Sequence, residues 1–272
     1  SAGAPRATSV LNPGSFRHYV EEFNANDVER KVNLVDNQSA WPWLQENIPF
    51  FECSDKDLEA IYYFRWWTFR KHIKGTPEGF VVTEFLPDVP WAGRLNTISC
   101  SAAHHFHEGR WLRDRRYLDD YARFWFRKGS NPRLYSFWAA EAVRSRSLVT
   151  QDQQLAIELL PDLVENYREW EKTHQDPNGL FWQIDDRDGM EISIGGSGYR
   201  PTINSYMYGD AVALGEIAKW AGKNDLSMEF RMKAARIRAL VEDRLWDEAT
   251  GFYKTLPRGE KQSLVDVREL GI

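Results

Sequence analysis

The chain carries its most varied chemistry in the stretch WQIDDRDGMEISIGGSGYRPTINSYMYGD, residues 182–210. This stretch combines carboxylates, three glycines within four positions, an Arg-Pro pair and aromatic side chains at helical spacing. Such a mixture suits neither a helix nor a strand. Ordering a long loop costs conformational entropy that packing does not return, so long ordered loops in compact domains are usually functional. We therefore predict a functional loop from Thr173 to Pro201.

The acidic residues of this loop leave three roles open. They can form a solvated surface without function. They can bind a metal, although DDRDG departs from the DDxxD spacing of aspartate-rich metal-binding segments. They can also supply a general acid, because a carboxyl group near Trp182 would be partly desolvated and its pKa raised toward neutral pH. The residues concerned are Asp185, Asp186, Asp188 and Glu191.

The glycines and basic residues of the loop add two expectations. Glycines at 195, 196 and 198 permit positive φ angles and the close approach of a ligand. Pro201 suits the first position of a helix, whose free N–H groups would then point toward the loop. Arg187 and Arg200 could keep a neighbouring carboxylate ionised, so that like residues would take unlike roles.

Aromatic residues are unusually frequent, with 12 Trp, 11 Tyr and 15 Phe. Many lie beside Arg, His, Asp or Asn, as suits sugar rings, which have an apolar face and a hydroxyl edge. Trp66 and Trp67 of FRWWTFRKH can contact sugar or belong to the core. Trp91 and Arg94 of VPWAGRLNT lie on a loop before a predicted helix, and Trp138 begins a helix.

A cluster of histidines in AHHFHEGRW could bind a metal. His104 and Glu108 lie four residues apart, on one face of a predicted helix, but the two-histidine HExxH pattern is absent. Histidines that pack between helices are the favoured reading, and no metal or cofactor is predicted.

Seven segments have the pattern of helices. The first has Ser54 as its predicted cap, with Asp57 three residues later, and ends at Gly75. The segment 79–93 after it reads as an irregular or short-strand loop. The helical segments are 55–73, 96–112, 116–129, 135–149, 152–174, 201–222 and 226–246.

Later helices alternate between two kinds. Those at 135–149 and 201–222 are rich in small residues, as in helices packed on both sides, whereas those at 152–174 and 226–246 have a charged face opposite an apolar stripe. About 65 residues separate Ser136 from the equivalent Thr202, which indicates a repeat of helical hairpins. We predict an all-α (α/α)6 toroid that is incomplete in this chain, with an open helical array as the alternative.

This organisation divides the chain into an extended, loop-like segment 1–53 that packs on the barrel and a barrel part 54–272. The rest of the barrel would come from further sequence or from another chain. With 35 Lys+Arg against 40 Asp+Glu there is no basic excess, which argues against a nucleic acid partner. No apolar run approaches a membrane span.

The sequence carries only weak signals for the cellular compartment. Cys53 and Cys100 form no spaced motif. The first ten residues, SAGAPRATSV, are small and polar, and they can be an expression remnant or the mature end left after removal of a signal peptide. The second origin favours the periplasm or the cell exterior.

Two short motifs resemble those of a known enzyme group. Gly189–Glu191, GME, is similar to the Gly-Trp-Asp or Gly-Met-Asp signature of inverting glycosidases of the trehalase and family 63 glucosidase type. LWDEATGFYK, residues 245–254, resembles the Leu-Trp-Asp-x-x-x-Gly-x-Tyr turn of the six-hairpin superfamily. The resemblance covers roughly Leu58 to Tyr253.

The resemblance implies a glycoside hydrolase, exo-acting and inverting, that acts on an oligosaccharide or glycan. The signature places the general acid on Glu191, where the family has Asp; Asp188 is the second candidate. The family's catalytic base comes from a late part of the barrel that this sequence does not contain. The predicted substrate-binding residues are Trp66, Trp67, Trp91, Arg94, His105, Trp138, Trp182, Asp185, Arg200 and Asn204.

Two other functions remain open. Helical toroids also host polysaccharide lyases, whose proton abstraction beside a uronate could use Tyr206, His105, Asn204 and Arg200. A carbohydrate-binding module without catalysis is the second alternative.

Overall fold

A computed structural model of the protein describes residues 10–189, 193–259 and 263–268. Within those ranges the chain forms nine α-helices, two short antiparallel hairpins and three 3-10 turns. The helices are α1 (Arg17–Ala25), α2 (Asn37–Asn47), α3 (Lys56–His72), α4 (Ser99–Gly109), α5 (Arg116–Arg127), α6 (Ala139–Thr150), α7 (Gln154–His174), α8 (Pro201–Trp220) and α9 (Asn224–Arg244). The strands are β1 (Ile73–Thr76) with β2 (Gly79–Val82), and β3 (Trp246–Asp247) with β4 (Phe252–Tyr253).

The seven predicted helices form as α3 to α9, and Pro201 is the first residue of α8 as expected. The predicted cap of α3 is wrong by one residue. Asp55, not Ser54, is the N-cap, and its carboxylate accepts from the backbone N–H groups of Asp57 and Leu58. Helix α3 also ends at His72 and not at Gly75, because the residues that follow pair with β2 as a strand.

The loop-like structure expected for the first 53 residues is wrong where α1 and α2 form. Pro42 lies inside α2, and an interior proline argues against a helix because it removes a backbone hydrogen bond. Asp36 favours the helix nevertheless, since its carboxylate caps α2 by accepting from the N–H group of Ser39 at 2.7 Å. Both helices pack on α3. A domain boundary at residue 53 stays a prediction.

The helices from α4 onward form two layers. In the inner layer α6 contacts both α4 and α8; in the outer layer α5 contacts α7, while α7 and α9 each pack on α8. The predicted fold class is confirmed: the chain is all-α, with the hairpin arrangement of an (α/α)6 toroid. Closure of the ring by further hairpins remains a prediction.

Burial explains the two kinds of helix. Eleven of the 20 residues of α8 are buried, against four of the 21 residues of α9. Gly215 brings the two helices together, because a Cβ atom there would lie 3.2 Å from Cγ of Arg231. The Ser227 hydroxyl, 2.7 Å away, donates to the carbonyl oxygen of Gly215 at the same crossing. No helix in the described ranges is both long and apolar enough to cross a membrane.

The LWDEATGFYK motif forms the turn between β3 and β4. Its aspartate, Asp247, accepts hydrogen bonds from the N–H group of Ala249 and the hydroxyl of Thr250, and it pairs with Lys254 at 2.7 Å. Gly251 has φ of 61°, a conformation that favours glycine. The motif therefore folds a local hairpin behind the predicted functional loop.

Candidate functional site

Three loops meet at one end of the inner layer, just before α4, α6 and α8. The N–H group of Tyr135 donates to the hydroxyl of Ser99 at 3.1 Å, which joins the beginnings of α6 and α4. The N–H group of Ser136 donates to the carbonyl oxygen of Arg187 at 2.8 Å, and the Arg187 guanidinium lies 4.9 Å from the centre of the Tyr135 ring. The predicted loop before α8 therefore lies against the beginning of α6.

Backbone pairing holds this loop from behind. Gln183 and Gly198 exchange hydrogen bonds at 2.9 and 3.0 Å, and Tyr199 and Leu256 do so at 2.8 and 3.1 Å. Gly198 has φ of 152°, and a Cβ atom there would lie 2.5 Å from the carbonyl oxygen of Leu256. The glycines thus permit a close approach, but at Gly198 the approaching atoms belong to the chain itself.

Asp188 is the buried end of the loop's acidic cluster. It is 1% exposed; one carboxylate oxygen accepts from the Ser136 hydroxyl at 2.6 Å and the other from Nε of Arg200 at 2.8 Å. Burial raises the pKa of the Asp188 carboxyl, while the bonds from Ser136 and Arg200 act in the opposite direction. Because both oxygens have protein partners, this carboxylate is placed to hold the loop. Its role as a proton donor is untested.

Arg200 joins the part of the loop before Glu191 to the part after it. Besides Asp188, its guanidinium bonds the hydroxyl of Ser193 and the carbonyl oxygen of Gly196, and it is 2% exposed. We call Ser136, Asp188, Ser193 and Arg200 the loop anchor. Glu191, the predicted general acid, lies outside the described residues, and the anchor holds the chain on both sides of it.

Asn204 is fully buried on the first turn of α8, beneath the same loop. Its side-chain oxygen accepts from the N–H group of Phe181 at 2.9 Å, and its amide donates to the carbonyl oxygens of Phe181 and Arg200 at 2.8 Å each. Arg200 and Asn204 were predicted to bind sugar hydroxyl groups. The polar atoms named above instead form hydrogen bonds within the protein that hold the loop.

The two other predicted residues of the loop lie nearer its surface. Trp182 stacks on the ring of His174 with 4.6 Å between centroids, and the Arg258 guanidinium lies 4.1 Å from its ring centre. Asp185 is half-buried and accepts from the N–H group of Asp186 at 3.0 Å. Protein contacts thus occupy much of the Trp182 ring, and a sugar contact there stays a prediction.

The structure does not bring the tryptophans of α3 to this end of the inner layer. Trp66 and Trp67 are 4% and 6% exposed. Trp66 meets Phe69 edge to face, and Trp67 donates from its indole nitrogen to Asn24 and has Lys71 4.5 Å from its ring centre. Among the described residues both rings are enclosed, which favours a core role for them, and the predicted sugar contact stays a prediction.

Trp91 has the opposite environment, because it is 67% exposed on the loop before α4. Asn96 braces that loop: its side chain accepts from the N–H group of Val89 and donates to the carbonyl oxygen of Phe85. Arg94 is engaged elsewhere, in an ion pair with Glu78. Trp91 therefore stays a candidate sugar contact, and the Arg94 contact also remains untested.

His105 lies away from the loop, in a cavity of about 230 Å³ between α3, α4 and the chain after β2. Its Nδ1 is 3.1 Å from the Tyr121 hydroxyl, and burial lowers the pKa of His105 to about 3, so the ring is neutral at neutral pH. Glu108 in the same cavity forms a two-bond pair with Arg65. These contacts do not bring His105 to Asn204 and Arg200, two of the other residues proposed for a lyase. They also do not bring Glu108 together with His104 as a metal-binding pair.

A group of rings does converge beside the loop anchor. The Trp138 ring lies 4.5 Å from that of Tyr206 on α8 and 4.7 Å from that of His104 on α4, measured between centroids. Trp138 and Tyr206 are partly exposed and His104 is exposed. We call these three residues the mouth rings. One turn along, Nε2 of His107 lies 2.6 Å from a carboxylate oxygen of Glu141.

Sequence reasoning found Trp138 as a sugar contact but considered Tyr206 only for a lyase and His104 only for a metal or for helix packing, so it missed their grouping with Trp138. The available signal was spacing: His104 and His107 are three residues apart on α4, and Trp138 and Glu141 are three apart at the beginning of α6. Residues at this spacing share a helix face. Within the described ranges, no three His, Cys, Asp or Glu side chains are grouped to hold a metal ion.

Comparisons with known proteins bear on this site. The family described as the mannosylglycerate hydrolase MGH1-like glycoside hydrolase domain matches residues 94–271. A solved structure named as a sialidase aligns over 95% of this chain with a TM-score of 0.91 and 41% sequence identity. No curated protein matches the chain.

A more distant structure shares the fold. A rhamnosidase from Klebsiella oxytoca, solved with rhamnose bound, aligns over 77% of this chain with a TM-score of 0.53 and 15% identity. The chain spans 24% of the length of the sialidase and 42% of that of the rhamnosidase.

Proposed function

The chain belongs to the family of MGH1-like glycoside hydrolase domains, and we propose that it is part of a glycoside hydrolase whose general acid is Glu191. The enzyme is exo-acting and inverting and cleaves a glycosidic bond of an oligosaccharide or glycan. The exo-acting and inverting parts of the proposal rest on the resemblance of the GME and LWDEATGFYK motifs.

One arrangement carries the proposal. The loop anchor flanks Glu191 on both sides, and it is tied to α6 through Ser136, two residues before the Trp138 ring. A carboxyl-bearing loop held next to partly exposed rings supports a general acid beside a sugar platform, which is one half of the machinery for glycoside cleavage. The Asp188–Arg200 pair is neutral overall, so the anchor adds little net charge beside the proposed acid.

The chemistry follows from these positions. Glu191 protonates the leaving glycosidic oxygen, which is the step that lowers the barrier, while a second carboxylate activates water on the opposite face of the sugar. In an inverting enzyme the two carboxyl groups stand roughly 6.5–9.5 Å apart to leave room for that water. By the resemblance, the second carboxylate comes from a later part of the barrel.

The mouth rings supply the sugar platform in this proposal. A sugar stacks its apolar face on Trp138 and Tyr206, and the His107–Glu141 pair bonds its hydroxyl groups, since both side chains are partly exposed. Trp91 contacts a more distant part of the substrate. The family description and the sialidase name different sugars, so the sugar is left to experiment.

A screen of the full-length protein tests the proposal. Mannosylglycerate, a sialoside and a panel of disaccharides and plant or bacterial glycans are offered, and the anomer of the first product is read by NMR. Glu191→Gln should lower turnover of an unactivated glycoside at least ~100-fold, because general acid catalysis contributes about that much or more, while binding changes only a few-fold. Asp186→Asn, on the same loop with a side chain 52% exposed, is the matched control and should stay active.

Other results point elsewhere. Full activity of Glu191→Gln would contradict its role as the acid. An unsaturated product that absorbs in the ultraviolet would identify a lyase. Sugar binding without turnover in the unaltered protein would identify a binding module.

A further inference from the structure

Helix α6 has no N-cap of its own. Trp138 stands at the N-cap position, and its side chain makes no capping hydrogen bond. The free N–H groups of the first turn need acceptors, because a buried helix end without partners is costly. The side chains that usually cap helices, Ser, Thr, Asp and Asn, are missing from this position.

The cap comes from the neighbouring inner helix. Asp210 of α8 is 1% exposed; one oxygen accepts from the N–H group of Ala139 at 3.2 Å, and the other from those of Ala140 and Glu141 at 3.0 and 3.1 Å. Burial raises the pKa of the Asp210 carboxyl to about 8, and the hydrogen bonds from the three backbone N–H groups at the positive end of the helix dipole act in the opposite direction. Three consecutive N–H groups thus share one side chain.

The same turn of α6 carries two parts of the proposed site. Trp138 directly precedes the capped residues, and Glu141 is one of them and pairs with His107. On α8, Tyr206 lies one helical turn before Asp210 and packs against Trp138. One face of α8 therefore fixes the backbone of α6 through Asp210 and the ring of Trp138 through Tyr206.

We infer that Asp210 is a positioning residue that sets the orientation of Trp138 and Glu141 for sugar binding. The inference rests on the proposed function, in which those two residues contact the sugar. Asp210 touches no substrate itself. It acts by fixing the rotation of the first turn of α6 relative to α8, and with it the gap between the mouth rings.

The test compares Asp210→Asn with Asp55→Asn, which alters the cap of α3, far along the chain from the mouth rings. An asparagine at 210 keeps the shape but has one acceptor oxygen, and its NH₂ group then faces a backbone N–H group. In protein labelled with 5-fluorotryptophan, the ¹⁹F signal of Trp138, assigned with Trp138→Phe, should shift or broaden in Asp210→Asn and stay in place in Asp55→Asn. Circular dichroism checks that all variants are folded at the temperature used.

Kinetics on whichever glycoside the full-length protein turns over adds a functional readout. Asp210→Asn should raise KM about tenfold with kcat changed less than threefold, and adding Trp138→Phe should cause little further loss. An unchanged Trp138 signal in folded Asp210→Asn would overturn the inference. If Trp138→Phe leaves KM unchanged, the proposed sugar platform fails instead, and the fluorine signal still decides whether Asp210 positions the ring.

Discussion

Two regions of this molecule use tryptophan in opposite ways. On α3, Trp66 and Trp67 are 4% and 6% exposed and are enclosed by other rings and by Lys71. At the beginning of α6, Trp138 is partly exposed between α4 and α8. Basic residues flank Trp66 and Trp67 in sequence, whereas Trp138 is followed by two alanines, so local composition does not identify the exposed ring. Position along the helix does, because a mid-helix ring is covered by neighbouring helices, whereas the ring at the beginning of this inner helix contacts α4 and α8 and keeps part of its surface exposed.

The two regions also use charge differently. Lys71 of α3 pairs with Asp27 near the protein surface, where the Asp27 side chain is 24% exposed. Near Trp138 the Asp188–Arg200 pair is almost fully enclosed, with side chains 0% and 3% exposed. An enclosed pair fixes a loop in one geometry, but loss of one partner leaves an uncompensated buried charge. The comparison therefore predicts that α3 substitutions affect stability alone and that site substitutions affect stability and function together.

The largest expected effect is on α3. Trp66→Ala should lower the free energy of unfolding by about 3–5 kcal/mol, the usual cost of truncating a buried tryptophan. Urea unfolding followed by circular dichroism measures this, with Trp111→Ala, 49% exposed, as the control with a small effect. Sugar binding by the folded fraction should not change. If it weakened specifically, Trp66 would belong to the site and the contrast between the regions would fail.

A somewhat smaller loss is expected at the loop anchor. Arg200→Met should cost about 3 kcal/mol, because the Asp188 carboxylate is left buried without its cation, and turnover should fall as the loop carrying Glu191 loosens. Arg238→Met removes an exposed ion pair with Glu242 and should leave the free energy of unfolding almost unchanged. Adding Asp188→Asn to Arg200→Met should restore part of the stability. Equal effects of the two single arginine variants would show that the anchor is not needed.

The smallest effect concerns His105, which lies on α4 between the two regions. Burial, together with His72, His104 and Arg65, lowers the pKa of His105 from 6.5 to about 3, so folding favours the neutral ring. Its contribution to stability is therefore present above pH 6.5 and is lost as pH falls toward 3. Urea unfolding at pH 7 and pH 4 should therefore show a smaller loss of stability on acidification in His105→Gln than in the unaltered protein. The exposed His18→Gln is the control, and an identical pH dependence in the two variants would contradict the assignment.

Much of the fold could be predicted from the sequence. Apolar periodicity located α3 to α9, and the small-residue content of segments 135–149 and 201–222 identified the inner helices, because crowding on both sides limits side-chain size. Helices α1 and α2 were missed, since Pro42 argues against a helix, and the contacts that stabilise both helices come from α3, distant in sequence. The cap of α3 shifted by one residue because two neighbouring side chains can both cap.

The site was only partly predictable. The loop before α8, the beginning of that helix at Pro201 and the position of Trp138 followed from local patterns. The roles of Arg200 and Asn204 did not, because a polar side chain near a predicted site can bind either a ligand or the loop itself. Which one it does depends on burial, and burial is a property of the assembled chain.

The sequence by itself determined the class of the protein: helical hairpins of two kinds, an ordered polar loop between them, and two motifs that resemble glycosidases. These depend on spacing and composition within short segments. Only the tertiary structure decided which polar residues hold the loop before α8 and which aromatic rings stay exposed. Ser136 meets Asp188 across 52 positions, and Asp210 caps residues about 70 positions earlier. Such pairings have no local signature, because each depends on how one inner helix packs against the next.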